Sequence, residues 1–294
     1  MPHTRYPSSP LPQFPTLGYI SPMSIPVSAC IICKNEVRRI AGALDSLAWC
    51  PDVVVVDSGS TDGTVEAAQN HPSRPRVIHQ DWLGYNPQRR FSAEQCLHPW
   101  VLMLDADEEC TPELAREIQA ITEERTQGVG IFLMPRKNYI GGRYIRCWSP
   151  DYQARLIHKE RVEWSPLVAP EFRSAKPGFR EVKLKHPMLH GRFAPFAMVD
   201  INDGKKIAEY AELYAQTLQR SGKHPTYLNL LFRPILAFLK YYLVKGAFLD
   251  GRFGLVIAYK TTMMVMLKYS VLYAKEELEK PPSLEKPSLR SRDP

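Results

Sequence analysis

Five short apolar runs alternate with segments of helical periodicity over the first half of the chain. The runs at 27–33, 53–57, 76–79, 100–105 and 130–134 read as strands, and the segments near 36–48, 61–69, 87–96 and 112–124 read as helices. This alternation predicts a parallel sheet crossed by helices, with ligands at the carboxyl ends of its strands. Ser60 or Thr61 is placed to cap the second helix, and Thr111 before Pro112 the fourth.

From 138 to 195 the pattern turns irregular and rich in Gly, Pro and aromatics, as loops on the acceptor side of a site would be. Three helices follow near 199–220, 226–246 and 252–278. In the last, at 100° per residue, Lys260, Lys268 and Lys275 fall within about 80° of one another and Leu255, Ala258, Thr262, Met266, Tyr269 and Tyr273 gather opposite, which predicts an amphipathic helix. The stripe fits a membrane surface or a protein core equally well. No apolar run approaches the roughly 18 uninterrupted residues of a membrane span, and the N-terminus lacks an apolar signal core. Seven prolines within the first 26 residues predict a disordered tail over 1–24, and Met23 before the first strand allows the preceding residues to be an upstream extension of the reading frame. The charged end, 280–294, reads as a second tail.

Composition changes this picture little, with 44% apolar and 23% charged residues being ordinary for a folded domain. Charge adds more. The net +7 suits a phosphate-bearing partner, and from 226 to 275 seven basic residues stand against Asp250 alone, so the basicity concentrates near the C-terminus. Six scattered cysteines fit a reducing cytoplasm; Cys30 and Cys33 form a CxxC within a strand that would point them to opposite faces, against a shared metal or redox role.

Candidate chemistry sits at strand ends. Asp105-Ala106-Asp107 closes the run WVLML, and residues two apart on a strand project to one side. Two carboxylates beside phosphates need a cation between, Mg²⁺ or Mn²⁺ held by one or two carboxylates and phosphate oxygens. The plainer alternative is an acidic turn before a helix. Upstream, VVVVDSGSTDGT ends a strand with Asp57 at a glycine turn, where Asp57 would accept from a base or ribose, or would simply shape the turn with Asp62. Arginines follow Gln88 at a helix start, and Arg89 or Arg90 could meet a diphosphate or only solvent.

The ordered set CKNE, DSGSTDGT, QDWLGYNPQRRF and LDADEE resembles the family 2 glycosyltransferases of the GT-A fold. Within them it is similar to bacterial lipopolysaccharide core glucosyltransferases of the WaaE type, through SPDYQARL, PMLH and LKYYLVKGAFLDGRFG. The resemblance implies an α/β fold over 25–195 with a mainly parallel, Rossmann-like sheet, followed by a basic membrane-associating helical region over 196–279. It implies a UDP-sugar donor, an inverting hexosyl transfer to a lipopolysaccharide core or other lipid-linked acceptor, and a peripheral place on the inner face of the cytoplasmic membrane, with no nucleic acid. Lys34, Asn35, Glu36, Asp57, Gln88, Arg89 and Asp105 would line the donor, and Asp105, Asp107 and His190 would border the metal. Similar enzymes carry a His-Glu pair after the QxRL element; here SPLVAPEF keeps Glu171 as candidate base without the histidine, and Asp151 is its rival. A nucleotidyltransferase would need a glycine-rich loop where CKNEVRR has none, and a membrane-binding module without activity would leave both acidic strand ends unexplained.

Overall fold

The computed structural model describes residues 24–164, 173–192 and 201–279. Its first half holds strands β1 (Val27–Cys33), β2 (Asp52–Asp57), β3 (Arg76–His79), β4 (Trp100–Asp105) and β5 (Glu108–Cys110). The intervening helices are α1 (Ile40–Asp45), α2 (Thr64–Gln69) and α3 (Tyr85–Glu94), and α4 (Pro112–Gln119) follows β5. The second half runs through β6 (Val129–Ile140), β7 (Arg143–Tyr144), β8 (Asp151–His158), β9 (Val162–Trp164), β10 (Arg173–Ala175), β11 (Arg180–Lys183) and β12 (Met188–His190). Helices α5 (Ile201–Arg220), α6 (Tyr227–Leu239) and α7 (Gly251–Glu279) close the chain.

The main sheet runs β3-β2-β1-β4-β8-β6-β12-β5. Strands β1 to β4 pair in parallel, as the alternation predicts. β8 is inserted antiparallel between β4 and β6, so the second half makes the sheet mixed. Two apolar clusters cover its faces, one with Ile31, Leu44, Leu102, Leu114 and Phe132, the other with Cys30, Val54, Ala93, Met103 and Ile157. Cys33 belongs to the first and Cys30 to the second, so the CxxC does point to opposite faces, and all six cysteines are buried free thiols.

Several expectations need correction. The stretch 138–195 is not a set of loops where it is described: it supplies six strands, β7 to β12, and β6 extends well beyond the predicted 130–134. β8 hides from periodicity because its first half, DYQA, faces a cleft while its second, RLIH, is buried throughout. α1 starts at Ile40 rather than 36, since the amides of Glu36 and Val37 donate sideways to Thr64 Oγ1 (2.7 Å) and Asp62 Oδ2 (3.2 Å). Neither Ser60 nor Thr61 caps α2: left-handed Gly63 holds the N-cap position, and Asp62 accepts from the Thr64 amide at 3.0 Å. Thr111 does cap α4, accepting from the Leu114 amide at 3.2 Å with Pro112 in the first turn.

The C-terminal helices pack differently from the predicted stripe. Two of the three lysines of that stripe turn toward α5: Lys275 pairs with Glu212 at 2.9 Å, and the Lys268 ammonium lies 5.6 Å from the Tyr214 ring centroid and 5.0 Å from that of Tyr269. Tyr259, Met263 and Met266 are exposed instead, and Leu272 is buried. An uninterrupted-run criterion also missed that the helical stretch from Ala247 to Leu278 is long and apolar enough to cross a membrane, by length and composition alone. α7 meets the preceding turn so closely at Gly254 that a Cβ there would run into the Ala247 carbonyl. The expectations for 1–23, Glu171 and 280–294 lie outside the described residues.

Candidate active site

The ends of β1 and β4 open into a cleft of about 1140 Å³, bordered by Lys34, Asn35, Glu36, Arg89, Asp105 and Asp107 and by Arg136, Asp151, Arg155, Arg173 and His190. Tyr85 and Trp82 meet edge-on at 4.9 Å between ring centroids, and Tyr210 of α5 donates to the Tyr85 hydroxyl at 3.0 Å, so the helical region supplies part of the wall. The loop after β1 is latched to that after β2: the Asn35 amide donates to Ser60 Oγ and Asn35 Oδ1 accepts from the Thr61 amide, each at 2.8 Å. Asn35 takes a positive φ of 57°, a conformation asparagine tolerates better than most residues.

The two carboxylates of the DAD turn have different surroundings. Asp105 receives Arg89 Nη2 on both oxygens, at 2.7 and 2.8 Å, and Arg155 Nη2 at 2.6 Å. Burial would raise its pKa, yet the guanidiniums of Arg155 and Arg89 hold it well below the usual carboxylate range. Arg155 also bridges to Glu108, which is fully buried and takes Arg136 at 3.0 Å. Asp105 is therefore an anchor for arginines, its oxygens carrying three charged hydrogen bonds while it borders the cleft.

Asp107 instead faces His190, with Oδ2 and Nε2 3.5 Å apart. His190 Nδ1 lies 2.8 Å from Asn138 Oδ1, which can only accept, so Nδ1 carries a proton and a neutral ring would aim the Nε2 lone pair at a carboxylate. A positive charge on or beside Nε2, as a proton or a metal ion, satisfies both groups. With a proton in that role, Asp107 raises the His190 pKa although burial opposes it, and His190 in turn lowers that of Asp107 against its own burial. A hard divalent ion fits the same donor pair, taking remaining oxygens from a diphosphate; among the described residues no group of three or more His, Cys, Asp or Glu forms a closed metal cage.

Other predicted residues are placed less directly. Asp57 does not line the cleft: it is buried, accepts from the amides of Gly59 and Ser60 at 2.9 Å each and from the Ser60 hydroxyl, and thereby shapes the loop. Gln88 is fully buried as well, donating to Ser58 Oγ at 3.0 Å and to the Gln80 carbonyl at 3.2 Å, while its Oε1 accepts from the Leu83 amide at 3.2 Å. It holds the loop before α3 rather than touching a donor. Asp151 does reach the cleft, its carboxylate oriented by Arg136 Nη2 at 2.8 Å, Asn138 Nδ2 at 2.9 Å and Gln153 Nε2 at 2.8 Å. Sequence reasoning missed Glu108, Arg136, Asn138, Arg155 and Arg173. The signal was a charged residue inside a buried strand, as in QARL, where burial demands a partner.

A sequence model of glycosyl transferase family 2 matches residues 28–200. The chain is 30% identical over 277 residues, 89% of its length and 97% of the relative's, to the lipopolysaccharide core biosynthesis glycosyltransferase LpsC of Rhizobium meliloti (strain 1021). It is also 30% identical over 241 residues to the uncharacterized glycosyltransferase RP128 of Rickettsia prowazekii (strain Madrid E), covering 78% of this chain and 80% of that one. Among solved structures it is similar to S. aureus TarS 1–349, at 15% identity and a TM-score of 0.46 over 87% of this chain and 92% of that one. Glucosyl-3-phosphoglycerate synthase of Mycobacterium tuberculosis, solved with Mn²⁺ and UDP, is similar at 18% identity and a TM-score of 0.43 over 70% of this chain and 82% of that one. With the family model covering more than half of its length and the mainly parallel GT-A sheet carrying the cleft, the chain belongs to glycosyl transferase family 2.

Proposed function

We propose that this glycosyltransferase moves a hexose from a UDP-sugar, with inversion, onto a lipopolysaccharide core or other lipid-linked acceptor at the cytoplasmic face of a membrane. The carrying observation is the Asp107–His190 pair facing a cleft at the strand ends, a donor set that can take a divalent cation and leaves room for diphosphate oxygens. Bound there, Mg²⁺ or Mn²⁺ would supply charge neutralisation of the leaving diphosphate. Lys34, Asn35 and Glu36 border the nucleotide, and Arg89 stands beside Asp105 at the cleft wall. The name of the Rhizobium relative supports the acceptor class.

The acceptor hydroxyl needs a carboxylate to take its proton. Among the described carboxylates of the cleft Asp151 is our choice: Asp151 and His190 line both the main cleft and an adjoining cavity of about 290 Å³, which Trp148, Tyr241 and Lys245 also line. That cavity is our choice for the acceptor sugar, with Glu171 the rival base. Next to it, α6 and the turn after it expose Leu228 (66%), Leu231 (62%), Ile235 (51%), Leu236 (58%) and Val244 (82%) among exposed Arg233, Lys240 and Lys245. Such a surface suits the headgroup boundary of an anionic bilayer, and each basic residue near it contributes about 1 kcal/mol.

A panel of nucleotide sugars with Mn²⁺ or Mg²⁺, read by thermal protection and by release of the nucleotide diphosphate, tests the reading. One UDP-sugar is expected to protect and to turn over only with metal. Protection by a nucleoside triphosphate and a sugar phosphate, with release of pyrophosphate, would make the chain a nucleotidyltransferase instead.

A further inference from the structure

Arg173 opens β10 and is only 7% exposed, yet it borders the cleft. Its Nε and Nη1 are buried without a hydrogen-bond partner. Its guanidinium lies 5.4 Å from the centroid of the Trp164 ring, a stacking contact that takes the planar face and leaves the N–H edge unsatisfied. Arg173 borders the same cleft as Arg89, Arg155 and Asp105, and Asp105 is already shared by the other two arginines. An arginine does not escape by losing its proton, and a buried cation with unmade hydrogen bonds is costly, so the arrangement is completed by an anion.

Arg173 borders the same cleft as Asp107 and His190, and its guanidinium packs on Trp164, which belongs with Cys30 and Ala175 to the cluster on one face of the sheet. Resting on the nucleotide-sugar reading above, we infer that Arg173, backed by Arg89 and Arg155, forms an oxyanion subsite that reads a carboxylate or phosphate group on one of the two sugars. The donor sugar would carry it as a uronic acid, the acceptor as a sugar phosphate. Arg155 Nε, also buried and without a partner, adds a further donor to the same patch. The planar fork of arginine matches either group in a bidentate contact, which a lysine would not reproduce.

The test uses the full chain with Mg²⁺, titrated with UDP, UDP-glucose, UDP-glucuronate, and with glucose and glucose 6-phosphate, each with and without UDP. If the donor carries the acid, UDP-glucuronate binds at least about tenfold more tightly than UDP-glucose; if the acceptor does, glucose 6-phosphate binds at least about tenfold more tightly than glucose. Arg173→Gln erases that preference and leaves the Kd of UDP unchanged, and Arg173→Lys restores only part of it. No preference for either acidic probe in the wild type overturns the subsite, and this arm needs no variant to fold. Equal weakening of UDP, UDP-glucose and the acidic probe in Arg173→Gln overturns it too, by placing Arg173 on the diphosphate. A chain that binds no uridine nucleotide refutes the donor reading, and glucose 6-phosphate titrated alone then still decides the subsite.

Discussion

The α/β half and the helical end of this chain solve opposite problems with similar residues. In the first, leucine, isoleucine and valine disappear into two continuous clusters while arginines and carboxylates are drawn inward and paired. In the second, the cluster that the described residues form around Ile145, Ala247 and Ile257 is small, and α6 leaves most of its leucines in contact with solvent. Buried charge in one half and exposed apolar surface in the other are both costly unless something covers or satisfies them. The difference is what the proposed partners rest on: ions and nucleotides for the cleft, a lipid surface for α6.

The largest effect belongs to the cleft. Asp107→Asn is expected to lower transfer by at least roughly a hundredfold without lowering the melting temperature, since it removes one of the two groups that hold the cation; normal transfer at normal metal would remove Asp107 from the site. Arg155→Met separates stability from function. It leaves Asp105 and fully buried Glu108 without their shared guanidinium, and urea unfolding should show a loss of about 3–5 kcal/mol. A loss under about 1 kcal/mol would mean that Arg89 and Arg136 suffice.

Paired substitution of Leu231 and Leu236 by Glu on α6 sharpens the contrast from the other side. Exposed positions should change stability by no more than about 0.5 kcal/mol each, yet co-sedimentation with anionic vesicles should fall to the level of neutral ones. Unchanged sedimentation would turn this face toward another partner. The smallest effect concerns acid stability. Burial would raise the pKa of Asp52, but Ser28, the Leu97 amide and Arg76 together lower it below its ordinary 3.8. A carboxylate depressed in the folded state stabilises fully above its unfolded pKa and loses that contribution as pH falls through the folded value. Asp52→Asn should therefore flatten the decline in melting temperature below about pH 3.8. A decline as steep as that of the wild type would mean that the partners of Asp52 stabilise little.

Legibility followed how locally each feature is determined. Strands β1 to β4 and the Thr111 cap depend on neighbours in sequence, and all were readable from apolar runs and turn residues. Asp107 and His190 lie far apart in sequence, and only the resemblance joined them; the structure does bring them together. What escaped was set by long-range pairing. Asp105 reads as a metal ligand, and nothing near it in sequence announces that Arg155, fifty residues on, shares it. Asp57 and Gln88 read as ligand contacts because a side chain's capacity for hydrogen bonds is visible in sequence while its commitment to Gly59, Ser60 or Ser58 is not. Lys268 and Lys275 were misplaced for the same reason, since helical periodicity gives a stripe but not the neighbour, here Glu212 and Tyr214, that decides which way it faces.

The most direct test of the central claim is a calorimetric titration of the full chain with UDP, with Mn²⁺ and with chelator, repeated for Asp107→Asn. The account predicts binding that requires Mn²⁺ in the wild type and is absent or at least about tenfold weaker in the variant. Equal affinity with and without metal, unchanged in Asp107→Asn, would contradict it.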